Sequence, residues 1–454
     1  MNTPNFYLAD LPKDAELTPK IISEACETLQ RNRAQYLKDK SLNQMILLLS
    51  QLGEEWSNPD FDFRKRARME GPEKTGFSKE VIDAGLADFF SKLTSRNIKS
   101  WLRIEFGSIE KLQQFSPTQE EEHQSGTSRI ICPEMIYHVA GGVLPNPVLM
   151  NLVTGLLLRS AQFVKAASGA SYLPLLFLHS LYLHDSKVAA CMEIAEWEGG
   201  RTELESVLYK ECDLITATGS NETLGKIRAQ VPHGKRYLEY GHAVSFSFVA
   251  REQLDPNKIA KTVELAARDV VAWDQSGCLS PHAIYVEAGG AISAAEFAER
   301  FSDSLTRLES IMPRGSITTD EAATIQFRRS FYEVRAKATE TIKLWKSTGS
   351  TAWTVVYDED PLFQLSCLNR FIFIKGAENI AQIIQACHCL NGQISTVGIS
   401  APESRYTELG REFSKWGVSR ICPVGKMQSP PLHWRHDGRP SIGDWVKWCD
   451  MEME

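Results

Sequence analysis

At 454 residues the chain is longer than one compact core accommodates, so two or three domains are expected. Hydrophobic residues make up 43% and charged residues 24%, and 50 Lys and Arg against 57 Asp and Glu leave a formal net charge of -7. These are ordinary globular values, and the acidic balance argues against a general nucleic-acid ligand.

The opening Met1-Asn2-Thr3-Pro4-Asn5-Phe6 lacks a basic stretch followed by an apolar one, so no signal peptide is read. The first hundred residues read as helical. Thr18-Pro19 is a cap followed by proline at the first helical position, and apolar residues recur through Ile22, Ala25, Leu29 and Leu47. The densest basic run, Arg64-Lys65-Arg66-Ala67-Arg68, reads as solvated surface. Ser78-Lys79-Glu80 opens a further helix through Val81, Leu86 and Phe90. Between about 117 and 128 the chain turns polar, with Glu120, Glu121, Glu122, Gly126 and Ser128, the pattern of an exposed loop or a hairpin tip.

From about 129 short apolar strands alternate with helical stretches. Strands are predicted at 130–137, 162–165, 213–218, 244–249, 282–287, 371–374 and 393–399, and helices at 147–158, 172–181 and 256–271. That alternation marks an α/β protein with mostly parallel sheets, and a second α/β block begins near Cys278. The most apolar region, 136–183, is broken by Pro145, Pro147, Arg159, Lys165 and Pro174, short of the roughly 20 residues a bilayer demands. A cytoplasmic protein without a membrane span is expected. The ten cysteines follow no framework spacing, which fits reduced thiols. The tail from Cys449 is short and polar.

Several segments carry residues suited to chemistry. Gly141-Gly142-Val143-Leu144-Pro145-Asn146-Pro147 is a turn into a helix, where Asn146 suits either an oxyanion donor or a helix cap. Phe163-Val164-Lys165-Ala166-Ala167-Ser168 ends an apolar strand in a lysine, at the edge where open α/β sheets bind ligands, or simply at the surface. Thr218-Gly219-Ser220 separates a strand from a helix whose first amides suit a phosphate; without a GxGxxG the plain alternative is a capped helix. In Tyr237-Leu238-Glu239-Tyr240-Gly241-His242, Glu239 suits a base, a water-orienting group or a loop carboxylate. Cys278 lies in Asp274-Gln275-Ser276-Gly277-Cys278-Leu279-Ser280-Pro281, among small residues just before an apolar run. A thiol there is approachable, and a thiolate forms thioesters, so the segment points to acyl chemistry. Cys387-His388-Cys389 lacks the spacing of a four-ligand metal shell, and no metal is expected. His436-Asp437 looks like a dyad without an assignable nucleophile; a loop holding the C-terminal segment against the catalytic domain is the simpler reading.

Taken in order, the Pro/Asn turn, the strand ending in Lys, Thr-Gly-Ser, Leu-Glu-x-Gly and Gly-Cys resemble the aldehyde dehydrogenase superfamily, over most of the chain from about Ser78. Within it the chain looks most like the acyl-CoA reductase branch, the LuxC-type, luminescence-type reductase of bacterial fatty-acid reductase complexes. Gln275 to Pro281, Gly417 to Met427 and His436-Asp437-Gly438-Arg439-Pro440 carry that likeness.

The resemblance implies an aldehyde-dehydrogenase-like fold of two α/β domains, one binding cofactor and one catalytic, with a small oligomerisation hairpin. On this basis 1–114 is the helical start of the cofactor-binding domain, 115–138 the bridging hairpin, 139–272 the Rossmann-like cofactor-binding domain, 273–428 the catalytic domain and 429–454 a C-terminal segment. It further implies Cys278 as nucleophile, Glu239 as the superfamily glutamate and Asn146 as oxyanion donor. Lys165 and Ser168 would contact the adenosine ribose, with Thr218, Gly219, Ser220 and Gly241 beside the rest of the cofactor. The later Glu-x-Phe of the superfamily has no clean match in Asp358-Glu359-Asp360-Pro361-Leu362-Phe363. The implied activity is NADPH-dependent reduction of a long-chain acyl-CoA or acyl-protein to an aldehyde through an acyl-cysteine, in the cleft between the domains. The implied partners are an acyl-activating enzyme and further copies of the chain. The alternatives are an aldehyde-oxidising dehydrogenase, an acyl-phosphate reductase, or a non-redox acyl-transfer subunit.

Overall fold

The computed structural model describes residues 5–12, 14–123 and 126–452. They divide into two units. The first gathers the chain up to Glu70, Leu86–Gly241 and the stretch from Pro431; the second gathers Gly71–Gly85 and His242–Pro430.

The N-terminal region is helical for the local reasons the sequence offers. Thr18 caps the helix Pro19–Asn32, its hydroxyl accepting from the Ile21 amide at 3.3 Å, and Ile22, Cys26 and Leu29 are buried along one face. Ser41 and Gln44 form a capping box before Leu42–Ser57. In the basic run Arg64 is only 3% exposed and donates to the Trp56 carbonyl oxygen at 2.5 Å, so that run is not a uniformly solvated face. The polar stretch contains a short helix, Gln119–His123, whose Glu121 holds the buried Lys111 at 2.6 Å. Positions 124 and 125 of the expected hairpin tip lie outside the described residues.

The sequence predicts one strand over 130–137, but the structure has two. Pro133 lacks the N–H a ladder needs and separates β1 (Gly126–Ile131) from β2 (Met135–Val139). β1 pairs antiparallel with the chain's last strand, Lys447–Glu452, from Gly126↔Glu452 to Ile131↔Lys447. The tail, short and polar in sequence, is therefore a paired strand through Glu452.

The first unit's main sheet is built from β2, β3 (Ala161–Ala166), β4 (Met192–Glu196), β5 (Leu214–Thr218) and β6 (Arg236–Tyr240), all parallel, in the order β4-β3-β2-β5-β6. Helices Pro145–Leu157, Tyr172–His184, Thr202–Glu211 and Asn221–Gln230 return the chain between them. The order runs outward from β2 in one direction through β3 and β4, then in the other through β5 and β6. The reversal falls between β2 and β5, where an open parallel sheet leaves a crevice at its carboxyl edge. The sequence pattern missed β4 and β6: each is five residues long with charged side chains inside it.

The second unit holds β7 (Val244–Val249), β8 (Pro281–Glu287), β9 (Ile342–Lys346), β10 (Thr354–Asp358), β11 (Phe371–Ala377), β12 (Ile394–Ser400) and β13 (Arg420–Pro423). Their order is β13-β12-β7-β8-β11-β10-β9, with only β9–β10 antiparallel. Strand alternation feeds two cores: Phe246, Phe248, Tyr285, Phe371 and Phe373 pack on one face, and Val249, Ile284, Val286, Ile372 and Ile374 on the other. Trp273 lies edge-on to Phe77, ring centroids 5.2 Å apart, and over Gly85, where a Cβ would run into the indole. Gly85→Ala is therefore expected to destabilise the fold by the ~1–3 kcal/mol typical of overpacking and so to lower the calorimetric midpoint. An unchanged midpoint would count against this packing.

Candidate active site

Cys278 sits on a turn between the helix Ile259–Val271 and β8, at the amino end of a central strand. Its neighbours Gly277, Leu279 and Ser280 are buried, yet Cys278 is exposed. Hydrogen bonds fix the backbone around it. Ser245 Oγ on β7 donates to the Cys278 carbonyl oxygen at 2.7 Å and accepts from the Thr396 amide at 3.1 Å. Ser280 Oγ accepts from the Gly277 amide at 3.3 Å and from the side-chain amide of Gln428. Exposure alone does not single out this thiol, because Cys389 and Cys449 are exposed too. Burial pushes the Cys26, Cys191 and Cys387 thiols up to about 12, which makes them unreactive near neutral pH.

The approach to Cys278 has unusual backbone. Trp273, Asp274 and Gln275 have φ of 50°, 51° and 66°, and Leu368, Asn369 and Arg370 have φ of 61°, 55° and 64°. A non-glycine residue in this left-handed region costs roughly 1–2 kcal/mol. Buried hydrogen bonds offset that cost: Arg370 donates to Asp274 Oδ1 from Nε and Nη2 at 2.9 and 2.6 Å, and Gln275 Nε2 donates to the Pro281 and Phe371 carbonyl oxygens at 2.8 and 3.0 Å.

Charged side chains also clamp the 425–428 loop, whose Gln428 bonds Ser280. Asp269 accepts from the Gly425 and Met427 amides at 2.6 and 3.0 Å, while Arg420 donates to the Met427 and Lys426 carbonyl oxygens, both at 2.7 Å. Burial raises the Asp269 carboxyl to about 7, against the pull of its two amide donors. His282, at the start of β8, accepts from the Ser366 amide through Nδ1 at 3.1 Å, and burial lowers its pKa to about 4, so the ring is neutral at pH 7.

In the first unit, the carboxyl ends of β2, β3, β5 and β6 bring together the other residues the sequence singled out. Gly141, just past β2, approaches β5 so closely that a Cβ would collide with the Thr218 carbonyl oxygen. Thr218 closes β5, Gly219 follows, and Ser220 caps Asn221–Gln230 by accepting from the Thr223 amide at 3.2 Å. Lys165, on β3, is 8% exposed, and among the described residues no hydrogen bond or ion pair holds its ammonium. Burial lowers its pKa, opposed by the charges of Glu205 and Glu196. Ser168 is exposed in the turn beyond β3. Gly241 follows β6, and a Cβ there would press on Asn221 Oδ1 at 2.8 Å. Close backbone approach, a helix amino terminus and an unpaired buried cation together suit a pyrophosphate-bearing ligand.

Glu239 lies on β6, not in a loop, and its carboxylate is paired with the Arg228 guanidinium. Asn146 is the second residue of Pro145–Leu157, and its Oδ1 is buried without a hydrogen-bond partner, so the expected cap is not formed. The C-terminal motif packs against β6: His436 stacks on Tyr240 with centroids 4.7 Å apart, and Arg439 reaches the Glu239 carbonyl oxygen at 3.4 Å. That segment groups with the first unit, not with the Cys278 domain as the sequence reading had it.

A family model described as acyl-CoA reductase (LuxC) matches residues 37–448. The chain belongs to the LuxC acyl-CoA reductase family. A curated relative, the long-chain acyl-protein thioester reductase of Aliivibrio fischeri, is 21% identical over 459 residues, covering 97% of this chain and 88% of that protein. Among solved structures, glyceraldehyde-3-phosphate dehydrogenase GapN from Methanocaldococcus jannaschii, complexed with NADP, superposes with a TM-score of 0.68 at 11% identity, covering 99% of both chains. An NAD-dependent benzaldehyde dehydrogenase from Corynebacterium glutamicum gives 0.66 at 11% identity, covering 99% of this chain and 94% of that one. This LuxC-family chain thus has an aldehyde-dehydrogenase-like α/β fold over nearly its whole length.

Sequence reasoning missed the supports of the Cys278 turn: Asp269, Asp274, Gln275 as a bridge, Arg370 and Arg420. A charged residue inside a helix end or beside a strand looks like surface unless its distant partner is known. Asp269 has a testable signature. Its folded pKa is raised, so its contribution to stability is full below the unfolded value near 4 and is lost as pH rises toward about 7. The stability of the native chain relative to Asp269→Asn should therefore fall between about pH 4 and pH 7 and stay level above, as read by urea unfolding. A difference independent of pH would refute the assignment.

Proposed function

We propose that this LuxC-family enzyme reduces a long-chain fatty acyl thioester, acyl-CoA or acyl-protein, to the aldehyde with NADPH, through an acyl-cysteine on Cys278. The observation that carries it is an exposed thiol on a buried, hydrogen-bonded turn, in a chain of this family. The Cys278 thiolate adds to the thioester carbonyl, the carbon–sulfur bond to the carrier breaks, and the carrier leaves as its thiolate. Lys165, Ser168, Thr218, Gly219, Ser220 and Gly241 would hold the dinucleotide, whose reduced nicotinamide would supply the hydride that the acyl-cysteine needs. The resulting thiohemiacetal collapses, expelling the Cys278 thiolate and releasing the aldehyde. The Cys278 amide and Asn146 are the oxyanion donors that the resemblance names, and loss of one such donor typically costs about 100- to 1000-fold.

Two further observations support reduction over hydrolysis and NADPH over NADH. The Arg228 guanidinium is paired with the Glu239 carboxylate, which engages that carboxylate away from a hydrolytic water. NAD-preferring relatives often carry a glutamate where this chain has Ser168, and a serine does not repel a 2'-phosphate. An acyl-activating partner and a homo-oligomer complete the reading, both by resemblance.

Acyl-CoA of graded chain length, incubated with the protein with and without NADPH, should place the acyl mass on the Cys278 peptide without cofactor and release aldehyde with it. Cys278→Ser should abolish both. Aldehyde oxidation with NADP⁺ outpacing acyl-CoA reduction would favour the dehydrogenase alternative, and acyl transfer without cofactor binding would favour an acyl-transfer subunit.

A further inference from the structure

We propose that the Asp274–Arg370 ion pair is a positioning device for the Cys278 nucleophile, an assignment that rests on the acyl-cysteine reading above. The two left-handed triplets, 273–275 and 368–370, are stitched to one another just before the amino ends of the adjacent strands β8 and β11. Arg370 is 1% exposed, and all three of its guanidinium nitrogens donate: Nε and Nη2 to Asp274 Oδ1, and Nη1 to Glu309 Oε2 and the Met312 carbonyl oxygen, both at 2.8 Å. Asp274 is 4% exposed, and its second carboxylate oxygen accepts from the Gly315 amide at 3.0 Å. Gln275 closes the same junction through its bonds to the Pro281 and Phe371 carbonyl oxygens.

None of the six left-handed residues is glycine, although glycine would adopt this backbone without strain. A buried ion pair is also a weak source of stability compared with apolar packing of the same volume. What the arrangement supplies is a fixed geometry. Side chains at 274, 275 and 370 force the chain into β8 along one path, and Cys278 is the exposed residue on that path. Attack on a thioester carbonyl is sensitive to such placement, since an error of about 1 Å can cost about 100-fold.

Asp274→Asn keeps the size of the side chain and one acceptor oxygen while removing the counter-charge. Single-turnover acylation by a long-chain acyl-CoA, followed by mass spectrometry of the Cys278 peptide and normalised to folded protein, should slow about 10- to 100-fold. The pH midpoint of Cys278 alkylation by iodoacetamide should stay at the wild-type value, because the effect is geometric. Arg370→Lys keeps the charge but loses the two-pronged contact, and should slow acylation in the same way. Folded D274N or R370K acylating at the wild-type rate overturns the proposal, as does a loss of acylation matched by loss of folded protein. Wild-type chain that forms no adduct on Cys278 overturns the acyl-cysteine reading, and this proposal with it.

Discussion

A reactive thiol must face solvent while the backbone that carries it is held still, and the Cys278 turn meets both demands at once. Buried peptide groups need partners, and here they find them in side chains: Ser245 on β7, and Ser280 and Gln275 from the segment around Cys278 itself, with Gln428 bonded to the Ser280 hydroxyl. The polar groups are consumed by the turn itself, which leaves the sulfur at the surface. The strained backbone before it is tolerable only because Asp274 and Arg370 are both buried and paired.

The first unit solves a different problem with the same economy of means. The dinucleotide proposed for it would need backbone near its phosphates. Glycine at 141 lets the chain leaving β2 close on the Thr218 carbonyl oxygen, at the point where the strand order reverses. Ser220 spends its hydroxyl on the third amide of the next helix, an ordinary cap that also orients that helix terminus. Lys165 brings a cation to the same edge of the sheet, at an energetic cost that burial imposes and that an anionic ligand would relieve.

Much of this was legible in the chain. The cap at Thr18, the long strands from Val244 and from Phe371, and the sequence of motifs from Lys165 to Cys278 all rest on local chemistry and short spacing. The family follows from that order of motifs, and the match over residues 37–448 agrees with it. The short strands did not show themselves. β4, β6, β9 and β13 are four or five residues long, and a strand of that length is defined by the neighbours that complete its hydrogen bonds. The C-terminal strand makes the point most plainly: every residue of it is exposed, and only its pairing with β1 makes it a strand.

By itself the sequence determined the class of the fold and pointed to Cys278 as the candidate thiol, because periodicity, capping and the small residues around Cys278 are written in adjacent positions. Tertiary structure alone decided what holds that thiol and what engages Glu239. Asp274 meets Arg370, Asp269 meets the 425–428 loop, and His436 meets Tyr240 only when segments far apart in the chain are packed together. A charged or aromatic side chain carries no mark of its distant partner, so burial and pairing at those positions are properties of the folded molecule.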